Sequence, residues 1–164
     1  MEHQKTASLE SLWRCAYRSR QVTRMTRADM AALLRESHMR NVTQDVSGLL
    51  LHLDDNFLHY LEGPESVLRA LAARIEKDPR HQVLGCLFME PAPERLLPGQ
   101  AMAYSDGGSP IPVDAAAQAV LNGVLKGPAR LEASHIPSTP GQMRFWAMCA
   151  AALPGQACVP SRSP

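Results

Sequence analysis

The sequence lacks long apolar runs, secretory features and clustered cysteines. No apolar run approaches the ~20 residues that a membrane-spanning helix needs, and the first segment, MEHQKTASLE, has no apolar core of a signal peptide. The cysteines show no CxxC spacing and no neighbouring histidine cluster, so we expect no metal site. These absences predict a cytoplasmic protein without membrane association, whose thiols are reduced (Cys15, Cys86, Cys149 and Cys158).

Several functional motifs are also missing. There is no G-x-S-x-G elbow, no Gly-rich phosphate loop and no HExxH zinc motif, so we expect no enzymatic activity. The formal net charge is only +1 and aromatic residues make up 5%, which gives no case for a nucleic-acid partner. Residues 1–40 nevertheless carry eight Lys/Arg against four Asp/Glu. This basic segment is either a phosphate-binding surface or a solvated helix face.

The distribution of proline and glycine predicts one domain followed by an extension. The chain has 164 residues, and eleven of its thirteen prolines lie at or after Pro91. We therefore expect a compact domain over residues 9–105. A linker beginning near Gly107 and a helical extension should follow over residues 106–153, and a disordered tail over residues 154–164.

The hydrophobic pattern predicts the element order β-α-β-β-α-β, followed by one more strand. The first helix begins at a capping box formed by Thr26 and Asp29 and runs to about Met39, and the second begins at Pro64. This order is that of the ferredoxin-like plait, an α+β fold, and two C-terminal helices should cover its open sheet face. The predicted strands are Leu9–Tyr17, Val46–Leu53, Phe57–Glu62, Val83–Glu90 and about Arg95–Tyr104, and the predicted C-terminal helices are Val113–Leu125 and Gln142–Leu153.

Five short stretches in this order and spacing resemble one known family. They are Cys15-Ala-Tyr-Arg-Ser19, Arg40-Asn41, Ser47-Gly48-Leu49-Leu50, Leu61-Glu62-Gly63 and Asp78-Pro-Arg-His81. Together they resemble the BLUF family of flavin-binding blue-light sensor domains, over about Leu9 to Ser105. Any one of the five stretches alone would be a weak signal.

The resemblance implies a flavin held between the two helices of the plait. FAD is the expected cofactor, and FMN and riboflavin carry the same ring. The resemblance makes Tyr17 the electron and proton donor to the excited flavin, and Asn41, expected after the first helix, the partner of the ring's polar edge. Without the resemblance, Tyr17 would be an ordinary strand aromatic and Asn41 a helix-ending residue. The remaining cofactor-binding residues that it implies are Leu33, Arg40, Leu50, Phe57, Ile75, Arg80 and His81.

His59 departs from the family pattern. The family places a glutamine two residues before the LEG stretch, and its amide is the light-driven switch. A neutral imidazole also carries one donor and one acceptor, but on opposite sides of a rigid ring. We therefore expect flavin binding to survive and the ordinary light-induced red shift to be lost or altered, unless His59 is a tolerated substitution that points elsewhere. Near the fifth strand, Gln100 is a candidate replacement amide and Met102 matches the family's signal-relay methionine.

The sequence thus predicts a flavin-binding light sensor of BLUF type, with an altered photocycle. The alternative, of a different class, is a flavin-free interaction module on the same fold. In either case we expect the output to pass to a protein partner or a second copy of the chain, through the sheet face or the C-terminal helices.

Overall fold

The computed structural model of the protein describes residues 10–106 and 139–152. Within these residues, no helix is long and apolar enough to cross a membrane. The predicted helix Val113–Leu125 and the predicted tail 154–164 lie outside the described residues. The described elements are β1 (Leu12–Gln21), α1 (Arg27–Thr43), β2 (Ser47–Leu53), β3 (Asn56–Pro64), α2 (Glu65–Glu76), β4 (His81–Pro91), β5 (Ala103–Ser105) and α3 (Pro140–Ala152).

The five strands form one mixed sheet in the order β4-β1-β3-β2-β5. β1 runs antiparallel to β3 and to β4, β2 runs antiparallel to β3, and the short β5 runs parallel to β2 at the edge. The crossover through α1 therefore joins the parallel strands β1 and β2, with β3 between them. The crossover through α2 joins the parallel strands β3 and β4, with β1 between them. This arrangement confirms the predicted ferredoxin-like plait with an added fifth strand.

Helices cover both faces of the sheet. Side chains alternate along a strand, so that Tyr17 and Leu61 pack in a cluster with Leu68 of α2, on the face that α1 also covers. The opposite face of the same strands carries Tyr60, which packs against Phe145 and Trp146 of α3. The second predicted C-terminal helix is thus present and lies on the open face of the plait.

The first helix is longer than predicted. Its start is the predicted capping box, in which the Asp29 amide donates to Thr26 Oγ1 at 3.1 Å and the Thr26 amide donates to Asp29 Oδ2 at 2.9 Å. The helix continues to Thr43 instead of ending near Met39. The prediction that Asn41 follows the helix is therefore wrong, because Asn41 lies in its last turn.

The fifth strand is shorter than predicted. It spans Ala103–Ser105 instead of starting near Arg95, and residues 92–102 form a loop. The reason is a buried carboxylate on β3. Glu62 accepts hydrogen bonds from the backbone amides of Leu96 and Leu97, each at 2.7 Å, and from the hydroxyls of Ser47 and Tyr60, each at 2.8 Å. We call this group of five residues the Glu62 clamp, and it holds the loop against the end of β3.

Candidate functional site

A cavity lies between the last turns of α1 and α2 and the face of the sheet that these helices cover. We call it the α1/α2 cavity. Its floor comes from the central strands and its walls from the two helices, because residues three or four apart on a helix share one face. The lining residues are Tyr17, Leu33, Glu36, Ser37, Arg40, Asn41, Leu50, His59, Leu61, Leu71, Arg74, Ile75, Asp78, Arg80, His81 and Met102.

Tyr17 and His59 form a buried pair at the floor of the cavity. They stand opposite each other in the β1–β3 register, and the Tyr17 hydroxyl hydrogen-bonds to His59 Nδ1. Burial raises the pKa of the Tyr17 hydroxyl well above its usual value of 10, and burial, together with the nearby His81, lowers the pKa of the His59 imidazole to about 3. Both groups are therefore neutral at physiological pH.

His59 also presents an unsatisfied nitrogen. Its Nε2 is buried and has no hydrogen-bond partner among the described residues. Buried polar atoms are normally paired. Because His59 lines the α1/α2 cavity, this nitrogen is suited to a hydrogen bond with a ligand in the cavity.

Asn41 connects α1 to the loop before β5. Its side chain is 1% exposed, and its Nδ2 donates to the Ala101 carbonyl at 2.6 Å. This bond uses one of the two amide hydrogens. Asn41 therefore positions the segment that carries Met102, which also lines the cavity.

The polar wall of the cavity is rich in arginine. Arg40 and Arg74 come from the last turns of α1 and α2, and Arg80 follows α2. Arg80 makes a fork-like contact with Asp78, with Nε–Oδ1 at 2.9 Å and Nη2–Oδ2 at 2.6 Å. This contact lowers the pKa of the Asp78 carboxyl and raises that of the guanidinium. Burial lowers the pKa of His81, which is therefore mainly neutral at pH 7.

The residues present fit a flavin. A flat, largely apolar ring with one polar edge needs apolar walls and a few placed hydrogen-bonding groups. Leu33, Leu50, Leu71 and Ile75 supply apolar lining, and the unsatisfied His59 Nε2 supplies a polar contact. Within residues 10–106 and 139–152, no group of three or more metal-ligating side chains is present.

Two predicted site residues lie outside the cavity lining, whereas the others line it. Phe57 stacks on His52 with ring centroids 4.4 Å apart and packs with Met30 and Leu50. It shares the face of β3 with His59 but stands nearer the hairpin, so Phe57 does not itself line the cavity, and its place beside the ring stays a prediction. Gln100 contacts the sheet through its carbonyl, which accepts from the Gly48 amide at 2.8 Å, and its side chain does not line the cavity.

Some lining residues were not singled out from the sequence. Glu36 and Ser37 follow Leu33 at helical spacing on α1, and Arg74 follows Leu71 on α2. The signal that identifies them is this spacing of three or four residues from residues that were predicted. The polar character of these positions makes them resemble ordinary solvated helix positions.

Comparisons with known proteins identify the family of this chain. The family described as sensors of blue-light using FAD, BLUF, matches residues 12–103. Photoactivated adenylate cyclase subunit beta from Euglena gracilis is 35% identical over 120 residues, which are 73% of this chain and 14% of that protein. The blue light- and temperature-regulated antirepressor BluF of Escherichia coli (strain K12) is 37% identical over 70 residues, 43% of this chain and 17% of that protein.

Solved structures show the same domain. The dark-state structure of BlrB, a BLUF protein, superposes with a TM-score of 0.55 at 33% identity, covering 58% of this chain and 73% of that one. The ground state of BlsA gives a TM-score of 0.54 at 26% identity, covering 57% and 63%. The chain spans only 14% of the length of the cyclase relative. The family match covers more than half of this sequence, and the chain therefore belongs to the BLUF family of flavin-binding blue-light sensors.

Proposed function

We propose that this chain senses blue light with a flavin bound in the α1/α2 cavity, and that Tyr17 and His59 together produce its light response. The observation that carries the proposal is the buried bond between the Tyr17 hydroxyl and His59 Nδ1, which leaves His59 Nε2 without a partner in the described part of the chain. A flavin edge bears carbonyl and ring-nitrogen acceptors, which an Nε2–H group can satisfy.

The protonation states follow from burial. Tyr17 is a phenol and His59 a neutral imidazole at pH 7, since burial raises the pKa of the first and lowers that of the second to about 3. The phenol donates to Nδ1, so the single imidazole hydrogen resides on Nε2. In the dark, His59 is therefore a hydrogen-bond donor toward the cavity.

In the proposed light response, the His59 imidazole changes from one tautomer to the other. Bound flavin would supply the absorption of blue light and an excited ring that accepts an electron. Tyr17 would give up that electron, and its hydroxyl proton would pass along the existing hydrogen bond to His59 Nδ1. His59 would pass its Nε2 proton to the ring that took the electron, so that one electron and one proton leave the Tyr17–His59 pair together. Nε2 changes from a donor to an acceptor, whereas the family's glutamine makes this change by reversing its amide.

The remaining polar residues would orient the ring. Arg40, Asn41, Arg80 and His81 line the side of the cavity formed by the helix ends, and they would hold its polar edge and side chain. Leu33, Leu50 and Ile75 would flank its apolar surfaces, and FAD is the cofactor of the family. Met102 contacts the clusters on both the α1 and the α2 side, which supports a role in relaying the change to β5.

The output would leave through protein contacts. A BLUF domain is itself a sensor, and the cyclase relatives are much longer proteins. We propose that the sensor domain spans residues 9–105, and that residues 106–153, which include α3, reach a protein partner or a second copy of the chain. The chain itself would have no enzymatic activity.

The deciding experiment compares the wild type with His59→Gln. The protein is purified, supplied with FAD, and its visible spectrum is recorded before and after blue light at two pH values. We expect the wild type to bind flavin without the ordinary reversible red shift, and His59→Gln to gain that shift, because the amide can reverse in place. Adding Tyr17→Phe to the glutamine variant should abolish the shift while flavin remains bound.

Two results would contradict the proposal. Identical light responses in the wild type and His59→Gln would show that His59 does not act as the switch. Failure of both proteins to take up any flavin would instead support a flavin-free interaction module.

A further inference from the structure

We infer that a groove between β4 and α3 binds an acidic segment of a partner protein that also carries apolar side chains. We call it the β4/α3 groove, and its lining includes Arg18, Leu84, Leu87, Arg144, Ala147 and Met148. The inference rests on the output proposed above, in which α3 reaches a protein partner. It does not depend on the flavin site, which lies on the other face of the sheet.

The apolar floor of the groove depends on two irregularities in an edge strand. β4 lies at the edge of the sheet, and its register against β1 shifts after Ala16 and again after Arg18. At each shift one residue of β4 has no facing residue on β1, and these two residues are Leu87 and Leu84. Residues three apart on a regular strand point to opposite faces, whereas both leucines line this one groove. The two bulges therefore bring together side chains that a regular strand would separate.

The apolar surface of the groove is open to a partner. The side chain of Leu84 is 42% exposed, Leu87 and Met148 are half-buried, and Ala147 is exposed on α3. The groove has a volume of about 480 Å³, which is within the range of pockets that hold a ligand. Contiguous exposed apolar surface with a polar rim is typical of an interaction site.

The rim of the groove is basic. Arg18 of β1 and Arg144 of α3 both line it, and no acidic side chain among the described residues does. Arg18 donates to Asn56 Oδ1 at 3.3 Å, and neither arginine has an ion pair within residues 10–106 and 139–152. Guanidinium groups bind carboxylates in a matching planar geometry, and arginine is enriched in interfaces. A partner that fits the groove therefore presents carboxylates next to apolar side chains.

Charge argues against the remaining parts of this chain as the occupant. Residues 1–9 and residues 107–138 each hold as many acidic as basic residues, and residues 153–164 hold one arginine and no acidic residue. None of these parts complements two arginines. A flat anionic membrane surface would not enter a concave groove. An acidic, apolar segment of another protein satisfies both the charge and the shape.

The test begins with a selection of peptides. Random peptides of about twelve residues, displayed on phage, are selected on the purified full chain. We expect the recovered peptides to combine Asp or Glu with Leu, Ile or Phe. Fluorescein-labelled copies of these peptides are then titrated with the protein and followed by fluorescence anisotropy. Their binding should weaken as salt is added, because salt screens the interaction with the two arginines.

Variants assign the binding to the groove. Leu84→Asp changes its floor and Arg144→Glu its rim, both at exposed positions. Each should weaken the binding of the selected peptides by at least about tenfold. The matched controls are Val22→Asp and Arg35→Glu, which introduce the same side chains at exposed positions outside the groove. Both controls should bind within about twofold of the wild type.

Three results would overturn the inference. The first is a selection that recovers no peptides, or peptides that bind Leu84→Asp and Arg144→Glu as tightly as the wild type. The second is a dimer in sedimentation velocity that these two variants dissociate, which would assign the groove to a second copy of the chain. The third is binding to phosphatidylserine vesicles that both variants abolish, which would assign it to a membrane. Since no step requires bound flavin, these results leave the proposed light response to its own test.

Discussion

The Tyr17–His59 pair shows how the residue at position 59 decides the chemistry that is available at the floor of the cavity. A strand register places the two side chains opposite each other whatever residue stands at position 59. An amide there can reverse by rotation, whereas an imidazole ring has its two nitrogens on opposite sides. With Nδ1 held by Tyr17, only Nε2 is free to face a ligand. Proton exchange between the two nitrogens is therefore the change that this residue can make without breaking its bond to Tyr17.

Burial of His59 also predicts a pH dependence of stability. The folded pKa is about 3, below the ordinary value near 6.5, so the unfolded chain binds the proton first as the pH falls. The free energy of unfolding should then decrease from about pH 6.5 downward, with up to about 1.4 kcal/mol per pH unit from this residue. Urea unfolding of the flavin-free protein between about pH 7 and pH 5 measures this decrease in the free energy of unfolding. His59→Gln should show a shallower decrease, and parallel curves for the two proteins would contradict the burial of a neutral imidazole.

At the scale of elements, the Glu62 clamp connects the strand that carries His59 to the loop before β5. Each carboxylate oxygen of Glu62 accepts two hydrogen bonds, one from a hydroxyl and one from a backbone amide. Arg95 supports the same junction by donating to Ser47 Oγ at 2.8 Å and to the Asp45 carbonyl at 2.8 Å. The loop continues to Ala101, whose carbonyl holds Asn41 of α1. A displacement of β3 would therefore reach α1 through this loop.

Glu62→Gln tests the clamp with almost no change in size. The amide nitrogen must face either Leu96 N or Leu97 N, and two donors then oppose each other in a buried site. We expect a loss of about 2–4 kcal/mol in the free energy of unfolding, together with faster hydrogen exchange at these two amides. Glu65→Gln is the control, because Glu65 bonds the exposed side chain of Arg69, and its loss should stay below about 1 kcal/mol. Equal losses for the two variants would show that the clamp does not hold the loop.

At the scale of the whole molecule, local patterns predicted more than long-range geometry did. The capping box at Thr26 and Asp29 involves neighbours in sequence, so it was found correctly. The length of β5 depends on Glu62, which lies more than thirty residues before the loop it holds, and no local pattern indicates this contact. Alternation placed Phe57 on the same face as His59. Of these two residues, only His59 lines the cavity. The packing of α1 and α2 decides where the cavity lies along that face, and alternation does not indicate it.

The docking of α3 on the far face of the sheet depends on a close backbone approach at Gly141. A Cβ atom at this position would lie 2.0 Å from the Leu87 carbonyl oxygen, a distance that requires the helix or the strand to move. Gly141→Ala should therefore destabilise the protein and shift the fluorescence of Trp146, which is 6% exposed, toward that of a solvated indole. The sign of the change in the free energy of unfolding is decisive, because alanine in a helix that does not contact the sheet would be favoured over glycine by about 1 kcal/mol.

Gly85→Ala is the control, since its Cβ would meet nothing within 4 Å. An unchanged or increased free energy of unfolding for Gly141→Ala would mean that α3 does not pack against β4 in solution. The face that carries Tyr60 and Phe88 would then be open to another occupant.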